Sequence, residues 1–333
     1  DSEISALGDM ASQNSDSVNI TGGSIDNIDN DVTFTSDGAI TIPTGNTAQR
    51  PANAVAGMIR YNTDEAYIEY YDGDRQQWLP TSNTFRPIQA TGGTVTDITQ
   101  DGVNYRVHTF TSSGTFDVTF APENAEVECL VVAGGGGGAR SDQNGAGAGG
   151  AGGYLEGTFT VAPSNQYTVQ VGAGGSGKTV ESDGSNGSDS AFSTATAVGG
   201  GGGGVQTGLN GGSGGGGGDN QAAGVATQNN SGGLTGYGND GAASGDGGAG
   251  GGGGGAGGAG GLTGSLTPIR RNGGLGKSSS INGNEVAYSA GGDSQLSTQG
   301  ESGLPNTGNG GEGGFEKNSG AGGSGIVIIR YLI

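Results

Sequence analysis

Eighty of the 333 residues are glycine, and all but eleven of these fall between Gly134 and Gly325. Glycine brings no side chain to a core, a site or a ligand, and ordering it costs more backbone entropy than ordering any other residue. A segment more than one-third glycine therefore either stays disordered or folds by packing its backbone. Which of these holds decides what kind of protein this is.

Disorder is what the composition alone favours. Two features count against it. The glycine is gathered into four dense tracts, 134–153, 199–218, 245–261 and 308–325, and these lie between patterned apolar segments. The run Val127-Glu128-Cys129-Leu130-Val131-Val132-Ala133 precedes the first tract, and Ile326-Val327-Ile328-Ile329-Arg330-Tyr331-Leu332-Ile333 follows the last. Near-continuous apolar runs of this length read as strands buried on both faces, and these two are expected to pair. Collagen is excluded because glycine keeps no strict three-residue period and only eight prolines are present. No Gly-Gly-x-Gly-x-Asp nonapeptide repeat recurs, and no Gly-Lys-Ser/Thr closes a phosphate loop. The remaining ordered solution is a bundle of threefold extended helices of polyglycine II type, bonded helix to helix through the backbone. Pure runs such as 199–204 are then interior, and tracts carrying Ala, Ser or Asp lie at the edges. The expected fold class is all-β with a polyglycine II bundle and little or no α-helix.

Four regions follow from the pattern. Residues 1–38 are polar with isolated anchors such as Val18, Ile20 and Ile25, an extended shaft or attachment segment. Residues 39–82 form a small β module: a strand at 39–43, a strand at 57–62, and a hairpin turning at Asp72-Gly73-Asp74 before Trp78. Its size is near the lower limit for folding alone, a limit that oligomerisation relieves. Residues 83–102 read as a connector. Residues 103–333 form the glycine-rich distal domain, with alternating strands at 105–110 and 114–120 and a hairpin formed by 154–161 and 166–171.

With 12 Lys+Arg against 32 Asp+Glu, the formal charge is −20. Such a surface repels phosphate and anionic lipid, so nucleic acid is not expected as a partner. No secretory signal or apolar run of transmembrane length is present, and no membrane insertion is expected. One histidine, His108, and one cysteine, Cys129, exclude a zinc site or a Cys/His dyad. Cys129 reads as a buried strand position and His108 as a strand-surface or interface residue. Asp72 and Asp74 read as turn formers, not a glycosidase pair. No catalytic residue, cofactor or metal is expected, and the chain does not read as an enzyme. Binding is better supported, because loops on a rigid scaffold are the usual place for recognition. The polar loops 219–243, 262–298 and 299–318 supply Asn220, Gln221, Tyr237, Asn239, Asp240 and Tyr288, a composition suited to stacking and hydrogen bonding.

Three stretches carry a family resemblance. Ala6-Leu7-Gly8-Asp9-Met10-Ala11-Ser12-Gln13-Asn14 through Val18-Asn19-Ile20-Thr21-Gly22-Gly23-Ser24-Ile25 resembles a segment recurrent in phage fibre shafts. Ile40-Thr41-Ile42-Pro43-Thr44-Gly45, Gly57-Met58-Ile59-Arg60-Tyr61-Asn62 and Tyr71-Asp72-Gly73 to Trp78 are similar to a small module of phage virion proteins. Tyr105 to Phe110, Leu130-Val131-Val132-Ala133-Gly134-Gly135-Gly136, Gly150 to Tyr154 and Gly322 to Tyr331 resemble the glycine-rich domain of fibres from phages of aquatic bacteria. The chain as a whole thus resembles a bacteriophage tail fibre protein. That resemblance implies an extracellular virion component and a homotrimer. It also implies attachment to other tail or fibre proteins through the N-terminal region. Distal loops would touch a host receptor, either a surface glycan or an outer-membrane protein. Two alternatives stay open: a purely structural fibre or decoration element, and a surface-glycan depolymerase.

Overall fold

The computed structural model describes residues 41–81, 87–143, 145–245, 249–261, 271–294 and 299–333, and the shaft segment 1–38 lies outside them. The fold is all-β, with no α-helix among the described residues. The chain divides between Asn83 and Thr84 into two compact units.

The first unit is a four-stranded sheet in the order β1(Thr44–Gly45), β2(Ile59–Asn62), β3(Tyr67–Asp72), β4(Gln77–Pro80). Residues 41–43 are not a strand; pairing starts only after Pro43, where Thr44 and Gly45 run parallel to Tyr61 and Asn62. A 3-10 turn, Thr47–Gln49, is closed by a capping box between Asn46 and Gln49. The β3–β4 turn is held by Asp72, whose Oδ1 accepts from the N–H groups of Asp74 and Arg75.

The second unit is a sandwich that continues into a glycine bundle. One sheet has the order β15(Thr235–Tyr237), β11(Tyr154–Thr160), β9(Glu126–Val132), β19(Ile326–Leu332), β7(Val103–Phe110), β6(Thr94–Gln100). The other has the order β14(Ala195–Ala197), β13(Ser190–Phe192), β12(Asn165–Gln170), β8(Gly114–Phe120), β5(Gln89–Thr91). Two short pairs complete it: β10(Arg140–Ser141) with β18(Gly314–Phe315), and β16(Lys277–Ser279) with β17(Val286–Tyr288). The apolar runs pair antiparallel, Ile326 against Val132 through Arg330 against Glu128. Both are buried on both faces. Val127, Cys129, Val131, Val327 and Ile329 meet Phe116, Val118, Val169 and Phe192 inside the sandwich. Leu130, Val132 and Ile328 face the other way, onto Tyr154, Ala256, Ile281 and Tyr288.

Three expectations are corrected. Segments 154–161 and 166–171 are not a hairpin, because β11 bonds to β9 and β15 while β12 bonds to β8 and β13. The link between them crosses the sandwich, and Phe159 meets Tyr167 edge-on at 5.8 Å. The connector 83–102 contains β5 and β6, one in each sheet, as its β-branched alternation Thr94-Val95-Thr96-Asp97-Ile98 allows. His108 is fully buried, because it shares a strand face with Phe110 in the sandwich interior. Its Nδ1 lies 2.8 Å from the Gly92 carbonyl and its Nε2 lies 3.0 Å from the Tyr331 hydroxyl.

Glycine segments leave or enter the strand ends directly, and segment 145–153 shows the packing rule. Gly147, Gly150 and Gly153 donate to Gly204, Gly201 and Val198; Ala148 and Ala151 donate to Gly251 and Gly254; Gly149 and Gly152 donate to Gly311 and Gly308. Every third residue reaches the same neighbour, the period of a threefold extended helix. Three further segments donate into it: Ala139 to Gly147, Gly216 to Ala148 and Gly292 to Gly149. Six neighbours thus surround one helix, the hexagonal packing of polyglycine II. Glycines 199–204 are buried, as expected. Alanine, however, does not mark the edge: Ala146, Ala148 and Ala151 are fully buried. A Cβ on Gly147 or Gly150 would meet the carbonyls of Gly216 or Ser213, and one on Gly149 or Gly152 those of Gly136 or Ala133. Ala148 and Ala151 occupy the third face of the helix, where a methyl group fits.

Two outcomes follow. A Cβ at Gly149 would stand 2.0 Å from the Gly136 carbonyl oxygen, backbone that cannot yield alone. Gly149→Ala is expected to destabilise the unit by about 3 kcal/mol or more, lowering Tm by roughly 6–12 °C, with Ala148→Gly within about 1 kcal/mol of wild type; calorimetry of both variants checks this. Burial holds His108 below the ordinary imidazole pKa. The unfolded chain therefore takes up a proton first, and stability falls as pH drops through about 6.5. Melting series from pH 7.5 to 5 should show a smaller acid-side loss for His108→Gln than for wild type.

Candidate functional site

The direction of the bundle follows from its strands. Glycine segments run outward after β9, β12 and β14 and return into β11, β13 and β19, so the reversals between them gather at the end away from the sandwich. The described part of this tip comprises 140–143, 178–183, 205–207, 218–221, 243–245 and 316–318.

These turns are knitted to one another. Glu316 N–H donates to the Ser141 carbonyl, and Arg140 bonds the Thr179 carbonyl and the Asp142 carboxylate. Lys178 N–H donates to Ser319 Oγ, which itself donates to the Gly138 carbonyl. Asp183 Oδ1 accepts from Val205 N–H at 2.7 Å, and Gly218 N–H donates to the Gln206 carbonyl. Ser244 Oγ accepts from Asn220 N–H, while Ser244 N–H donates to the Gln221 carbonyl. The turn Asp219-Asn220 has positive φ at both residues, a conformation that Asp and Asn tolerate better than most. The result is one continuous polar surface on a backbone-bonded base.

The predicted residues separate. Asn220 and Gln221 are exposed at the tip. Tyr237 lies at the sandwich end, edge-on to Tyr154 at 5.8 Å, with the Lys277 ammonium 4.3 Å from its ring centre. Asn239 and Asp240 lie along the bundle and serve it. Asn239 Nδ2 donates to the carbonyls of Gly255 and Ala256, and Asp240 Oδ1 accepts from Ala226 N–H. Tyr288 is 2% exposed in the outer core of the six-stranded sheet, and burial raises the pKa of its phenol. No receptor reaches it there.

Asp240 belongs to a wider pattern that the sequence reading missed. Where an outer segment lacks a glycine neighbour, an Asp or Asn side chain takes that neighbour's place as acceptor. Asp189 and Asn186, three residues apart, accept from Gly199 and Gly202, also three apart. Asn210 accepts from Val225, Asp293 from Gly273 and Asn309 from Ala290. The fold also brings Arg140, Lys178, Val180 and Gln206 to the tip, outside the loops that composition singles out, together with Lys317 from the loop 299–318. The usable signal was positional: each sits at a reversal after an outward glycine run.

A concave feature of about 320 Å³ lies under the β16–β17 hairpin, lined in part by Glu128, Glu156, Ser280 and Arg330. Its carboxylates are engaged: Glu128 with Arg330 at 2.7 Å, Glu156 with Lys277 at 3.3 Å and with the Tyr154 hydroxyl. Arg330 also bonds Gln100 and covers the Tyr105 ring, so the cluster clamps the hairpin onto the sheet.

A family model described as a glycine-rich domain matches residues 111–332, well over half of the chain. The chain belongs to the glycine-rich domain family. No curated protein matches it. The matched span of the glycine-rich domain omits β5, β6 and β7, although these strands complete both sheets of the sandwich from which the bundle grows.

Proposed function

We propose that this protein is a bacteriophage tail fibre, a homotrimeric virion component outside the cell whose glycine-rich domain binds a host-surface receptor through the bundle tip. The observation that carries this reading is the tip itself: varied polar turns, held by a lattice of backbone hydrogen bonds, at the end away from the sandwich. A scaffold of that kind keeps loops rigid while leaving their sequence free, which suits recognition. The family resemblance of residues 6–25, 40–78 and the glycine-rich strands supports placing such a tip on a phage fibre. The shaft segment is then the attachment point to other tail proteins, and the receptor is a surface glycan or an outer-membrane protein.

Within the tip, Lys178 to Asp183 forms an exposed reversal with Val180 at 66% exposure, and Asn220 and Gln221 form another. Labelled protein is expected to bind cells of a susceptible strain among aquatic bacteria. Replacing Thr179, Val180 and Glu181 by Gly-Ser-Gly together with Asn220→Ala and Gln221→Ala should lower that binding at least tenfold. Tyr288→Phe, in the core, should leave it unchanged. Undiminished binding by the tip variant would sink the reading. Virion incorporation without any cell binding would point to a purely structural element, and release of reducing sugar to a depolymerase.

A further inference from the structure

The N-terminal unit is built inside out. Among its described residues only Gly45, Arg60, Asn62 and Glu69 are buried, and no apolar side chain is. One face of its sheet is a polar network. Glu69 takes Arg50 at 2.7 Å and Arg60 at 3.5 Å, Asn62 Nδ2 donates to Glu69 and Thr47, and Arg60 lies beside the Trp78 ring. The opposite face is fixed by register: Ile59 opposite Tyr70, Tyr61 opposite Ile68, Tyr70 opposite Leu79. Ile59 is 50% exposed and Ile68 43%. Of the charged residues in the four strands, only Asp72 at the rim shares this face, and it is paired with Arg75.

We propose that this open face is the surface through which copies of the chain associate, with Ile59, Tyr61, Ile68, Tyr70 and Leu79 of each copy forming one shared core. The proposal rests on the self-association contained in the fibre reading and not on receptor binding. Two observations single out a second copy as the occupant. Fixing some forty residues costs on the order of 1–2 kcal/mol each in backbone entropy, and the described residues of this unit bury no apolar side chain of their own against that cost. The covering surface must therefore be present whenever the unit folds, and a copy of itself always is. Chains that each carry −20 repel one another over most of their surface, so self-contact is confined to a face free of net charge.

The test uses the full chain. Sedimentation equilibrium of wild type should give a multiple of 32.1 kDa. Trp78 is the sole tryptophan and lies in this unit, against Tyr71, so its emission reports this unit's unfolding. The midpoint of that transition should rise with protein concentration. Ile68→Asp and Ile68→Lys should each sediment as single chains, and mixing the two should restore association, which a simple folding defect would not do. Val180→Asp, at the tip, should keep the wild-type mass. A single-chain mass for wild type, or a concentration-independent Trp78 transition, overturns self-association by this unit. Wild-type mass retained by Ile68→Asp overturns the choice of face alone, leaving an oligomeric fibre intact.

Discussion

The close approach of backbone to backbone is the condition on which the second unit depends. At Gly136 an added Cβ would lie 2.1 Å from the Gly201 carbonyl oxygen, and at Gly253 it would lie 1.9 Å from that of Gly149. Contacts this short leave no room for a side chain, yet they bring each N–H within about 3 Å of a carbonyl on a neighbouring segment. Each such bond contributes only about 0.5–1.5 kcal/mol net, whereas a buried peptide group left without one costs about 1–3 kcal/mol. The lattice therefore tolerates few interruptions. That is the physical reason for the composition, since six neighbours leave room for a methyl group at only a few positions, such as Ala148 and Ala151, and for nothing at the rest.

Disordered polyglycine would not find this arrangement unaided, because the entropy cost is high and no side chain specifies register. The sandwich supplies both. Hydrogen-bonded strands stand about 4.7–4.9 Å apart, so β9, β11 and β19 deliver their glycine extensions already within bonding distance of one another. The bond from Ala133 to Gly153 continues the β9–β11 ladder, and Gly134 and Gly135 then turn to Ser188 and Gly323. The pleated two-neighbour pattern becomes a threefold one within two residues. Burial of β9 and β19 on both faces anchors that junction, which explains why the most apolar runs of the chain directly flank its most glycine-rich region.

Much of this was legible in the sequence. The bracketing runs at 127–133 and 326–333 declared an ordered, all-β domain, and the failure of every periodic alternative left threefold helices. The misreadings share a cause. Segments 154–161 and 166–171 look like a hairpin because alternation reveals strands but not which sheet each joins. His108 reads as a strand-surface or interface residue because a polar residue on an alternating strand usually faces water, and the Tyr331 partner that permits its burial lies more than two hundred residues away. The lattice bonds of Asn239 and Asp240 go unseen in the sequence because composition cannot show that a polar side chain also completes a backbone lattice. Only the positions of the reversals were within reach, since they follow from counting outward and inward glycine runs.

The Asp and Asn acceptors also bear on how a bundle so rich in bare backbone closes its own edges. The outer segments of a glycine bundle present N–H groups that could template another glycine helix, much as an open strand edge templates another strand. Asp183, Asp189, Asp240 and Asp293 occupy those positions, as do Asn186, Asn210 and Asn309. Either side chain saturates the donor, so hydrogen bonding alone does not require the carboxylate. The carboxylate adds repulsion between copies, and the net charge of −20 spreads it over the surface. Acidity and glycine content are thus coupled: the more a fold relies on exposed backbone, the more its edges must be both filled and charged. The turns at the tip are then the part of the domain freest to vary, since backbone there is neither stacked nor required to match a neighbour's period.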